Sequence, residues 1–152
     1  MVIINSDAFS KKALARAGYH ENPLPDLATR FNLVEIPLTS LNREALAGLA
    51  LTQREADRCK NFFALGLLCW LYGRPMDATE RWLSGKFQGD VREGNLRTLR
   101  AGHAFGETTE LFPTHYTIPS AKIEAGTYRN ITGNTALAWG IVAAGEQMSN
   151  PV

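Results

Sequence analysis

The side chains that could do chemistry in this chain are few and widely spread. Its histidines, His20, His103 and His115, fall in a loop, a helix and a linker. A lone histidine in a loop is ordinarily just solvated. Glu107 and Glu110, flanking Thr108-Thr109, have the residue types of an acid/base pair. They read more simply as the exit of a helix and the start of a linker. Arg54, Arg58 and Lys60 could recognise an anion near Thr52, yet at helical spacing they read as a solvated face. Cys59 and Cys69 suit no metal spacing. Ten residues apart on one helix, they stand roughly 15 Å from each other, too far for a disulfide. No GxSxG, HExxH, phosphate-loop or CxxC pattern is present. Two positions could favour an anion through a helix N-terminus. One is Ser6-Asp7, at the carboxyl end of a strand, where open α/β sheets place ligands. The other is the turn Gly133-Asn134, the weak candidate for cofactor contact. Residue chemistry by itself assigns no catalytic residue and no metal ligand.

The elements that would carry these groups follow from the apolar patterning. The chain has 152 residues, 45% hydrophobic and 20% charged, which implies a packed core rather than disorder. A net charge of +1 gives no footprint for nucleic acid or an anionic membrane. Free buried thiols fit a reducing, cytoplasmic compartment. The longest apolar run, Phe62 to Tyr72, is too short to span a bilayer, and the N-terminus lacks the basic flank of a signal peptide. Without such a signal, the sequon Asn130-Ile131-Thr132 reads as chance.

Val2-Ile3-Ile4 is apolar without alternation, as in a parallel strand covered on both faces. Ser6-Asp7 is expected to cap a helix from Ala8 to Ala17, closed by Gly18. His20 to Asp26, with two prolines, reads as a loop, and Leu33 to Pro37 as a second strand, completing a βαβ unit. A short helix is expected over Asn42 to Leu49. Thr52-Gln53-Arg54-Glu55 is a capping box for a long helix ending at Tyr72, where Gly73 and Pro75 stop it. Its second half, FFALGLLCWLY, is apolar all round and should be deeply buried. Asp77 is expected to cap the next helix, with Ala78, Trp82, Leu83 and Phe87 at helical spacing. Gly89-Asp90 starts another running to about Phe105, with Val91, Leu96, Leu99 and His103 inward. From Gly106 to Tyr128 the period is lost, and this stretch reads as an ordered linker that partly buries Leu111, Phe112, Tyr116 and Ile118. A final helix starts at Thr132-Gly133-Asn134 and is small and apolar on nearly every side. Two strands are too few for a stable parallel sheet, and a wholly apolar helix needs neighbours. Both terminal segments are therefore expected to be covered by polypeptide outside this chain.

Five stretches carry a resemblance. IINSDAF, GYHENPLPD, CKNFFALGLLCWLYGRP, KF followed by VREGNLRTLRAGHAFGETTE, and GTYRNITGNTALAWGIVAAGEQ occur in that order. Together they resemble the alpha subunit of 2-oxoacid:ferredoxin oxidoreductases, of the 2-oxoglutarate type with a gamma domain fused ahead of the alpha part. Lys60-Asn61 with Ala64-Leu65-Gly66 resembles a gamma-domain helix signature, and Tyr128 to Asn134 the junction where a thiamine-diphosphate pyrimidine-type domain begins. The resemblance implies an α/β fold. Residues 1–106 would be the C-terminal part of a Rossmann-like gamma domain, a βαβ unit plus several helices. Residues 107–128 would be an interdomain linker, and 129–152 the truncated start of the pyrimidine domain.

In such enzymes, the resemblance implies, thiamine diphosphate with Mg²⁺ decarboxylates the 2-oxoacid and coenzyme A takes the acyl group. Electrons leave through iron–sulfur clusters to ferredoxin, and the cluster cysteines belong to a partner beta subunit. The gamma domain is implicated in coenzyme A access and subunit packing. Gly94 departs from the alanine more usual there, at a helix cost of about 1 kcal/mol. A Tyr-Pro-Ile-Thr-Pro motif, whose threonine contacts the 2-oxoacid, is expected just past Val152. The chain thus reads as an internal fragment, inactive alone; the alternative is a non-catalytic assembly module that docks a beta subunit.

Overall fold

The apolar run at the start forms strand β1, Val2–Asn5, and pairs in parallel with β2, Leu33–Ile36. The register sets Val2 against Leu33 and Asn5 against Ile36. The computed structural model describes residues 1–119 and 121–148; position 120 of the expected linker and 149–152 of the expected last domain lie outside it. Two compact units divide it, Met1–Pro119 and Ser120–Val152.

In the first unit the crossover from β1 to β2 differs from the expected single helix. Ser6–Ala8 is a short 3-10 turn capped by Asn5. The helix proper, α1, is Lys11–Arg16, capped by Ser10, whose hydroxyl accepts the Ala13 N–H. Gly18 closes it at φ +82°. The expected loop over His20 to Asp26 contains the start of helix α2, Leu24–Ala28. Pro25 sits in its first turn, where a missing N–H costs nothing. After β2, helix α3 is Leu38–Ala45, about one turn earlier than the apolar pattern suggested.

Helix α4, Gln53–Leu71, carries the expected capping box, and Gly73 ends it at φ +57°. Its apolar second half is not buried all round. Phe63, Gly66, Leu67, Cys69 and Leu71 are buried, while Leu65 and Leu68 are exposed. Helix α5 is Asp77–Lys86; Met76, not Asp77, holds the cap position and makes no side-chain cap. Leu83 is fully buried, but Trp82 is exposed and packs edge-on against Phe87. Helix α6, Gly89–Thr108, buries Gly94, Asn95, Thr98, Leu99, Gly102 and Gly106. Of the four residues expected on its inner face only Leu99 is fully buried; Val91, Leu96 and His103 are half-buried.

The reason is a seam of small residues four apart: Gly94, Thr98, Gly102 and Gly106. A Cβ on Gly102 would lie 1.9 Å from the Phe63 carbonyl oxygen, and one on Gly66 would lie 1.9 Å from that of Leu99. The α4 and α6 backbones therefore touch through reciprocal glycines. The buried Thr98 hydroxyl has the Gly94 carbonyl of its own helix at 2.9 Å and the Cys59 carbonyl across the seam at 3.1 Å, so its single proton is shared between the two helices. Gly94 sits on the same seam, where a Cβ would come within 2.9 Å of the Leu46 methyl and 3.0 Å of the Leu51 methyl. Side-chain packing is thus the context of that glycine, beyond its helix propensity.

The core joins sheet to helix: Val34 and Ile36 of β2 pack with Leu67 and Leu71 of α4 and with Phe112, and Ile3 packs against that cluster. In the second unit, helix α7, Gly133–Gln147, is capped by Thr132, whose hydroxyl accepts the Thr135 N–H. Leu137, Trp139, Ile141 and Val142 are exposed along it.

Candidate functional site

A network of side-chain hydrogen bonds organises the carboxyl end of the two-stranded sheet. Asn5 Oδ1 accepts the Leu38 N–H at 3.1 Å, and its Nδ2 donates to Thr39 Oγ1 at 3.0 Å. Asp7 Oδ2 accepts the Ser40 N–H at 2.8 Å, and Oδ1 accepts the Ser40 hydroxyl at 3.3 Å. The first turn of α3 has Pro37 at its cap position and no side-chain cap of its own. The Leu38 and Ser40 N–H groups are thus satisfied by the end of β1 and the turn after it, about thirty residues away in sequence. A carboxylate already occupies the place where an anion would bind, so Ser6-Asp7 is a structural clasp rather than an open anion site. Asp7→Ala is expected to cost about 1 kcal/mol, the usual worth of a helix cap. A urea melt of the variant reads this, and an unchanged midpoint would contradict it.

The other nominated residues do not converge. His20 is exposed, His103 half-buried on α6, and Glu107 and Glu110 exposed at the end of α6 and beyond it. Arg54 and Arg58 face solvent and Lys60 is half-buried. Their neighbour Glu55 is held below the usual carboxylate range, first by the Thr52 hydroxyl and then by the Thr52 N–H it accepts in the capping box. His115 is a different case. Its Nε2 meets the Trp70 carbonyl, while the Tyr116 N–H donates to the Leu71 carbonyl at 2.8 Å. Tyr116 stacks on Tyr72 with ring centres 5.5 Å apart, and Phe112 is buried beside Trp70 at 5.8 Å. Residues 112–116 therefore cap the C-terminal end of α4 from outside, a role no local motif announces. Leu111, Tyr116 and Ile118 stay exposed, so the expected partial burial is concentrated in Phe112.

Cys59 and Cys69 are buried free thiols, and burial pushes both pKa values up. Thiolate is the reacting species. Both are expected to resist an aromatic disulfide reagent at neutral pH in the folded chain and to react at once in denaturant. Rapid labelling of the native chain would contradict this.

Gly133 and Asn134 lie in the exposed first turn of α7. A Cβ on Gly133 would meet nothing within 4 Å, so no close approach within the chain requires a glycine there. Among the described residues, no three histidine, cysteine, aspartate or glutamate side chains come together as a metal-binding group. No helix among them is long and apolar enough to cross a membrane.

No protein-family model and no solved structure matches the chain. The chain is similar to the 2-oxoglutarate oxidoreductase subunit KorA of Mycobacterium tuberculosis. It is 43% identical over 155 aligned positions, which cover 100% of this chain and 24% of KorA. The resemblance carried by the five sequence stretches and this identity thus agree: along its whole length the chain is similar to a stretch of a 2-oxoglutarate oxidoreductase subunit, and it spans about a quarter of that subunit.

Proposed function

We propose that the chain is a piece of the alpha subunit of a 2-oxoacid:ferredoxin oxidoreductase. The parent complex would oxidatively decarboxylate a 2-oxoacid, with 2-oxoglutarate the candidate that the relative's name supplies, to its acyl-coenzyme A and pass the electrons to ferredoxin. The observation that carries this reading is the 43% identity maintained over all of the chain. Residues 1–106 would be part of the gamma domain, 107–128 the linker, and 129–152 the start of the pyrimidine-type domain. The division between the two compact units, after Pro119, falls inside that linker. Thiamine diphosphate with Mg²⁺ would supply the carbanion chemistry in the complete enzyme. No step of that chemistry is assigned to residues of this chain. What this chain contributes is scaffold: a helical layer on a parallel sheet, and an exposed apolar helix. A beta subunit carrying the iron–sulfur cluster would be its partner in a cytoplasmic complex, the compartment that buried free thiols suit.

The direct test is a graft. The matched stretch of KorA is replaced by this chain, and the chimera is purified with its beta subunit. Reduction of a low-potential viologen that depends on 2-oxoglutarate and coenzyme A is expected to persist. A soluble, assembled chimera without turnover overturns the reading, and so does turnover by the isolated chain. The second reading, an assembly module without a part in catalysis, is favoured by the exposure of Leu137, Trp139, Ile141 and Val142. It expects co-purification of the isolated chain with a beta subunit and an inactive graft.

A further inference from the structure

Three aromatic side chains carried by α4 and α5 meet at the surface. Phe87, at the C-terminal cap of α5, meets Phe62 of α4 edge-on with ring centres 6.5 Å apart, and Trp82 edge-on at 6.0 Å. Phe62 and Phe87 are half-buried, whereas Trp82 is 54% exposed. Leu65, one turn beyond Phe62, is exposed as well. Single exposed apolar residues are ordinary, but a contiguous apolar patch marks a contact surface. The rim of this one is cationic. Arg58 stands one turn before Phe62 and Lys86 one turn after Trp82, and both are exposed. The carboxylates of the two helices lie elsewhere or are occupied. Asp57 and Asp77 each precede the aromatic residue of their own helix by five positions, about 140° round the axis from it. Glu55 is held in the Thr52 capping box, and Glu80 pairs with Arg100 at 2.8 Å.

We propose that Phe62, Trp82 and Phe87, flanked by Arg58 and Lys86, form a docking site for an acidic amphipathic helix of another protein. Apolar side chains of that helix cover the aromatic rings, and its aspartates or glutamates reach the two cations. Tryptophan and arginine are the residues on which binding energy concentrates at interfaces. The backbone groups along α4 and α5 are hydrogen-bonded within each helix, so the patch offers side chains only. A helix docks through side chains alone, whereas an added strand needs an open sheet edge to pair with. Charge argues against a second copy of this chain as the occupant. A two-fold contact on this patch would set Arg58 and Lys86 against the same cations of the other copy. Residues of α4 and α5, with the cap residue Phe87, supply the whole surface, so the inference goes beyond the proposed function and does not depend on it.

Calorimetric titration of the full chain with two synthetic peptides tests the site. One is an amphipathic helix with leucine along one face and glutamate one turn to either side; its twin has lysine in place of every glutamate. The glutamate peptide is expected to bind at least about tenfold more tightly than the twin, and more weakly as salt is raised. Trp82→Ala is expected to weaken it at least about tenfold. That side chain is more than half exposed, so the variant should keep the parent's circular dichroism. The double variant Arg58→Glu with Lys86→Glu keeps the rings and should reverse the preference, favouring the lysine twin. Equal affinity for the two peptides overturns the inference, as does absence of binding or affinity indifferent to Trp82→Ala. Two further results also overturn it. One is retention on phosphatidylserine vesicles that Trp82→Ala abolishes, which makes the patch a membrane surface. The other is a dimer in sedimentation that Trp82→Ala dissolves, which makes it a contact between copies of this chain.

Discussion

Gly102→Leu should leave the first unit without a stable native state. The Cβ alone would stand 1.9 Å from the Phe63 carbonyl oxygen and 2.7 Å from its carbon, and both atoms are backbone. A flexible side chain could rotate away from such a clash; a helix backbone cannot. The α4 and α6 axes would have to separate, and the damage would spread along the seam. Thr98 would lose its reach to the Cys59 carbonyl, and Gly66 its contact with Leu99. Phe63, which is 1% exposed and packs on Phe105 with ring centres 5.9 Å apart, would lose its close packing. Overpacking by itself ordinarily costs about 1 to 3 kcal/mol, and a backbone clash lies at or beyond the top of that range. Because domains are marginally stable, the expected readout is loss of the cooperative urea transition. The internal control is Gly85→Ala on α5, where an added Cβ meets nothing within 4 Å. There alanine should raise stability by a few tenths of a kcal/mol up to about 1, from helix propensity. A native-like melt for Gly102→Leu would refute the close-approach account of the seam.

Phe112→Ala should have the next largest effect, and of a different kind. The ring is 8% exposed and closes the end of the core against Trp70, Leu67 and Leu71. Truncating a buried phenylalanine costs about 3 to 5 kcal/mol, and the lower part of that range suits a residue at the edge of the cluster. Without it, the contacts of His115 with the Trp70 carbonyl and of Tyr116 with Leu71 have no anchor. The carbonyls at the end of α4 would return to solvent. Limited proteolysis should then cut within residues 109–119 at protease levels that leave the parent chain intact. A variant that melts like the parent and resists cleavage would show that this segment is held by something other than Phe112.

Much of the local structure was legible in the sequence because its causes are local. The capping box at Thr52, the stop at Gly73 and the Thr132 cap of α7 are satisfied by residues within one turn of themselves. The parallel pairing of Leu33–Ile36 with the first strand follows from two apolar runs separated by a crossover. The resemblance to the oxidoreductase alpha subunit was legible as well, and the identity to KorA supports it. The candidate site fared less well. Ser6-Asp7 looked like a helix cap and an anion position, and it is a clasp on a helix thirty residues away. The glycine spacing at 94, 102 and 106 was visible, but apolar periodicity drew attention to Val91, Leu96 and His103 instead.

The sequence by itself determined where most elements lie, the parallel strand pair and the similarity to a stretch of a 2-oxoglutarate oxidoreductase subunit. Only the tertiary structure decided which faces are buried, and why. Periodicity reports that a residue is apolar, whereas burial depends on which partner reaches it. Leu68 has the composition of a core residue and is 41% exposed, while its neighbour Leu67 on the same helix is buried against the sheet. Gly102 has no side chain to bury, and with Gly66 it marks where α4 and α6 meet, because the absence of a Cβ lets two helix backbones touch.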